Sequence, residues 1–73
     1  MSGCLCIAGS QNQAAAIVAM LRRAGIKSGI VPTPRRFAED EGCSYSVEIP
    51  QRYVSSAMDM LRRAGMDNKI ICP

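Results

Sequence analysis

The hexapeptide Met20-Leu21-Arg22-Arg23-Ala24-Gly25 returns unchanged as Met60-Leu61-Arg62-Arg63-Ala64-Gly65, 40 residues later in a chain of 73. Such identity points to one structural unit written twice. The apolar pattern repeats with it: Ala14, Ile17, Val18 and Leu21 fall on Val54, Ala57, Met58 and Leu61, spaced by three and four as the buried stripe of a helix requires. Each half therefore contains one amphipathic helix. Ser10 with Gln13 three residues on predicts a capping box at the first helix start, and Pro50 suits a first turn whose N–H groups go unpaired. Gly25 and Gly65 each end a helix whose last turn carries an arginine pair.

Strand-like runs flank both helices, at Gly3 to Ala8, Ile26 to Val31, Ser44 to Ile49 and Lys69 to Cys72. Strand, helix, strand, twice over, predicts an α+β fold: a ferredoxin-like βαββαβ sandwich whose four-stranded antiparallel sheet carries both helices on one face, with an internal pseudo-repeat. Right-handed crossovers place strands 1 and 3 in the centre. Residues 1–73 are expected to form a single domain near the lower size limit for an unaided core, so a homodimer is a further expectation.

That topology gathers the end of strand 1, the start of helix 1, the end of strand 2 and the start of strand 3 at one end of the sheet. Ser10, the Val31-Pro32-Thr33-Pro34-Arg35-Arg36 turn and Cys43 should converge there, with Cys4 and Cys72 toward the other end. Pro32 and Pro34 fix φ, lack an N–H and stop strand 2. Thr33 and Arg35 are then presented from a stiffened turn, before an acidic connector, Glu39-Asp40-Glu41.

Composition narrows the chemistry. Nine basic against six acidic side chains give a net charge of +3, short of a surface dense enough to make nucleic acid the first partner. The chain has no histidine, which excludes a Ser-His or Cys-His hydrolase built from this chain alone. No apolar run approaches the ~18 residues of a membrane span, and no secretory signal is evident. A cytoplasmic setting is expected, with the four cysteines reduced.

A strand and a helix ending in Ala-Gly, then Val31-Pro32-Thr33-Pro34-Arg35, then Cys43 opening the next strand and a closing helix with Pro50 at its start: across essentially its whole length the chain resembles the small bacterial Se/S carrier protein-like family. Its most specific part is Val31 to Arg35 with Cys43. The resemblance implies a small cytoplasmic protein holding sulfur or selenium on one cysteine, matched here by Cys43, and passing it from a donor protein to an acceptor protein. The chain has Cys43-Ser44 where the family usually has Cys-Gly, and its loop before the cysteine is longer and more acidic.

A carrier cysteine must be a thiolate, which nearby positive charge or a helix N-terminus favours. Arg35, Arg36 and the amides behind Ser10 would supply both, while Glu39 to Glu41 would oppose them. Read for packing alone, Cys43 is a small apolar residue on the strand face of Tyr45, Val47 and Ile49. Cys4 and Cys6 point to one face, and with Cys72 they form an alternative thiolate set for Cu(I) or Zn(II) that lacks a fourth ligand; as packing residues they would line the uncovered sheet face or a dimer interface. Ser44 and Ser46 alternate with the apolar set of that strand and suggest a polar sheet face. The arginine pairs complement helix dipoles, and RNA binding would need strand aromatics beyond Tyr45. Tyr45 and Tyr53 read as packing residues, and Met20, Met58 and Met60 as core or partner-facing filler. The leading expectation is a non-enzymatic carrier without a cofactor: Cys43 bears a persulfide or selenopersulfide, and the Pro32, Thr33, Pro34 turn presents it. The alternative is a protein-interaction or assembly module without thiol chemistry.

Overall fold

The computed structural model describes residues 3–34, 36, 45–66 and 68–72. Its elements follow the order β1 (Gly3–Ala8), α1 (Gln11–Arg23), β2 (Gly29–Pro32), β3 (Tyr45–Pro50), a 3-10 turn (Gln51–Tyr53), α2 (Val54–Arg63) and β4 (Ile70–Ile71). The sheet is antiparallel throughout and runs β2-β3-β1-β4, which puts β1 and β3 in the centre as expected.

Alternation along the central strands decides which side is buried. Cys4, Cys6 and Ala8 of β1 lie opposite Ile49, Val47 and Tyr45 of β3. Apart from half-buried Tyr45, these residues are almost wholly buried. Their side of the sheet shares one apolar cluster with Ala14, Ile17 and Leu21 of α1 and with Ala57 and Leu61 of α2. Both helices therefore cover the same face. The stripe read from spacing holds except at Met58, which is 44% exposed.

The repeated hexapeptide is a helix stop in both places. Ala24 and Ala64 are the C-caps, and Gly25 and Gly65 follow with φ of 82° and 77°, a region that side chains with a Cβ rarely adopt. Gly25 N donates to Arg22 O and Ile26 N to Leu21 O; Gly65 N donates to Arg62 O and Met66 N to Leu61 O. These paired bonds satisfy the last carbonyls in the Schellman pattern. Each stop turns an apolar residue, Ile26 or Met66, back toward the core.

Three boundaries moved. The second helix opens through the 3-10 turn after Pro50, so α2 itself begins at Val54. Strand β2 starts at Gly29 rather than Ile26, because Ile26 is the buried second residue after the helix cap. It ends on Pro32, where a missing N–H is tolerated at a sheet edge. Strand β4 is trimmed to Ile70–Ile71.

Candidate functional site

Register aligns three strand ends in one row. Tyr45 at the start of β3 faces both Ala8, the last residue of β1, and Pro32, the last of β2. Immediately after Ala8 comes the start of α1. Ser10 caps it, its Oγ accepting from Gln13 N at 3.1 Å. Gln13 Oε1 accepts from Gly9 N at 2.6 Å and from Asn68 Nδ2 at 3.1 Å. Asn68 Nδ2 also donates to Ile7 O at 2.9 Å, so the chain leading into β4 is tied to the α1 N-terminus. No sequence signal pointed to Asn68.

The electrostatic consequence follows from this capping. The amides of Gln11 and Asn12 begin the helix and lie outside its i to i−4 ladder, and the macrodipole makes this end partially positive. With Ser10 Oγ committed as an acceptor, its O–H hydrogen is what it retains for an anion.

The Pro32, Thr33, Pro34 turn is anchored rather than simply projected. Thr33 Oγ1 and Ser46 Oγ are hydrogen-bonded at 2.6 Å, and Ser46 is fully buried. Thr33 thus points its hydroxyl inward, contrary to the expectation that the turn displays it. Ser46 does not make the second sheet face polar either. That face carries half-buried Leu5, Ile7, Val31 and Ile71 around Ser46 and exposed Glu48. Tyr45 packs on the opposite, helix-covered side, which leaves the described strands without an aromatic on the face away from the helices for base stacking.

Arg36 is exposed. Cys43, Arg35, Ser44 and the acidic stretch Glu39 to Glu41 lie outside the described residues.

The other cysteines depart from expectation. Cys4 and Cys6 do share a face, but it is the helix-covered one, and both are fully buried. Cys4 is disulfide-bonded to Cys72, with a Cα–Cα distance of 4.2 Å, so the expectation that every thiol is reduced fails for this pair. The cause is register. Ile7 N donates to Lys69 O across β1 and β4, and Leu5 and Cys6 lie opposite Ile71 and Ile70; Cys4 and Cys72 then continue the ladder as a non-hydrogen-bonded pair, the type in which side chains approach most closely. Cys6 keeps a free thiol, and burial pushes its pKa up. Two of the three thiols of the metal alternative are thus bonded to each other. Among the described residues no group of three His, Cys, Asp or Glu side chains is disposed to hold a metal ion.

The arginine pairs occupy the last turns of α1 and α2, and Arg63 also reaches Asp59 at 3.1 Å on the exposed helix surface. Dipole complementarity accounts for them. Among the described residues no helix is long and apolar enough to cross a membrane.

In comparison with known families, residues 3–73 fit the family described as Putative Se/S carrier protein-like. No curated protein and no solved structure matches the chain.

Proposed function

Because the chain belongs to that Se/S carrier protein-like family, we propose that it carries sulfur or selenium as a persulfide or selenopersulfide on Cys43. The observation that carries this reading is elimination among the cysteines. Of four, Cys4 and Cys72 are bonded to each other, and Cys6 is buried, which pushes its thiol pKa up. With the Cys4–Cys72 bond closed, Cys43 is the cysteine this reading turns to for carrying sulfur.

Covalent geometry supports the rest. Cys43 is two residues before Tyr45, a span of at most about 7 Å, and Tyr45 lies in the row of strand ends beside the α1 N-terminus. Partial positive charge there, with Arg35 and Arg36 close in sequence, favours the thiolate. In loading, the Cys43 thiolate attacks the terminal sulfur of a donor persulfide. The donor's S–S bond breaks and its electron pair leaves on the donor cysteine. Delivery repeats the same exchange with an acceptor thiol.

We read the strand order as ferredoxin-like, the two halves as a pseudo-repeat and residues 1–73 as one cytoplasmic domain that meets a donor and an acceptor protein. The test is loading by a cysteine desulfurase, read by intact mass. Cys43→Ser should abolish loading; retention of the added sulfur by that variant removes the assignment.

The half-buried apolar residues on the sheet face away from the helices favour a second reading. Leu5, Ile7, Val31 and Ile71 would serve a protein-interaction or homodimer surface without thiol chemistry, and a protein that forms dimers yet accepts no sulfur would support it.

A further inference from the structure

We propose that Cys4 and Cys72 form a thiol–disulfide exchange site of their own, with Cys72 as the sulfur that meets an external thiol and Cys4 as the resolving sulfur. The inference does not rest on Cys43. It rests on the asymmetry of the pair. Cys4 is fully buried on central strand β1, whereas Cys72 is exposed beyond edge strand β4. The buried residue of the pair is closed to an incoming thiolate, which leaves Cys72 as the side of approach.

The fold also keeps the pair together when the bond is open. Strand β4 has two residues, but its register is held independently of the sulfurs by the Ile7 N to Lys69 O bond and by Asn68 on Ile7 O and Gln13 Oε1. Opening the bond therefore releases the exposed residue Cys72 beside a strand that other bonds hold in place. Reclosure needs no search, because the ladder itself places residues 4 and 72 opposite each other. The site lies four residues along β1 from Ala8, about 13 Å by strand rise, and so is separate from the row of strand ends.

The substrate class is a thiol or disulfide small enough to approach Cys72. In the reducing direction, a thiolate of a small dithiol attacks Cys72 Sγ. The Cys4–Cys72 bond breaks, and its electron pair leaves on Cys4 Sγ, which takes up a proton. The dithiol's second thiolate then attacks the dithiol's own sulfur in the mixed disulfide, expelling the Cys72 thiolate and closing a disulfide in the reagent. Two electrons pass to the protein. In reverse, Cys72 forms the mixed disulfide and Cys4 resolves it.

The experiment uses Cys43→Ser protein, so that failure here leaves the Cys43 loading assay untouched. Oxidised glutathione is added to the reduced Cys43→Ser/Cys4→Ser and Cys43→Ser/Cys72→Ser variants, each first shown to be folded by circular dichroism. The Cys4→Ser variant should gain one glutathione, mapped to Cys72, and the Cys72→Ser variant should gain none. Equal adducts on both, or none on the Cys4→Ser variant, overturns the proposal. If either variant does not fold, oxidised Cys43→Ser protein is titrated with dithiothreitol under native conditions. Reversible reduction with an unchanged circular dichroism spectrum, and first alkylation at Cys72, upholds the site; reduction only in denaturant, or first alkylation at Cys4, overturns it.

Discussion

Thr33 Oγ1 and Ser46 Oγ are hydrogen-bonded at 2.6 Å, joining the proline-bracketed turn after β2 to a wholly buried position on central strand β3. The turn is thus locked to the strand that Cys43 precedes. Thr33→Val leaves the Ser46 hydroxyl buried without that partner and should cost about 1–3 kcal/mol in urea unfolding. Combining it with Ser46→Ala removes the orphan, so the double variant should lose less than the sum of the single losses. Strict additivity would show that the bond does not couple turn to strand.

The two helix stops offer a matched pair. Gly25 and Gly65 hold φ of 82° and 77°, and a Cβ at either would meet no atom within 4 Å. The penalty for alanine is then conformational alone, about 1–2 kcal/mol at each site. Similar destabilisation of Gly25→Ala and Gly65→Ala, measured by thermal unfolding, is expected; a neutral effect at one site would mean that the repeated hexapeptide does not perform the same task twice.

Burial gives Cys6 a signature in alkali. Its folded thiol is raised above the ordinary value, so the unfolded chain loses this proton first as pH rises. Beyond the free-thiol pKa of about 8.5 the folded state binds more protons than the unfolded one, and its stability falls with pH, by up to about 1.4 kcal/mol per unit. Below that pH the contribution is fully present. Cys6→Ala should flatten this slope while lowering stability at neutral pH through lost packing; an unchanged slope would assign the alkaline loss to other groups.

The carrier reading sets the Cys43 thiol below the free value of about 8.5 in pH-dependent alkylation. Arg35→Ala and Arg36→Ala should each move the midpoint upward, and Glu39→Gln downward. A midpoint indifferent to all three would strip these charges of any part in activating the thiol.

Helices were the most legible part of the chain because their signals are local. The stripe Ala14, Ile17, Leu21 and the Ser10 cap are set by neighbours within a turn, and the structure reproduces them. Even there, Met58 sits in the periodic stripe and ends 44% exposed, since spacing names a face without measuring how far the sheet beneath it extends. The candidate site was half legible. Strand order predicted that Ser10 and the proline turn meet at one end, but Asn68, distant in sequence, carries no local mark of its bond to Gln13.

By itself the sequence determined where α1 starts and where both helices stop, that strands flank them, and which residue types are available: no histidine and four cysteines. Tertiary structure decided what those cysteines are. Whether Cys4 and Cys6 face the helices or the other side of the sheet depends on strand parity against a distant partner, and a shift of one residue would have reversed it. The pairing of Cys4 with Cys72 depends likewise on the β1–β4 register, set by the bond from Ile7 to Lys69. Nothing local to a cysteine encodes a ladder formed by residues more than 60 positions away.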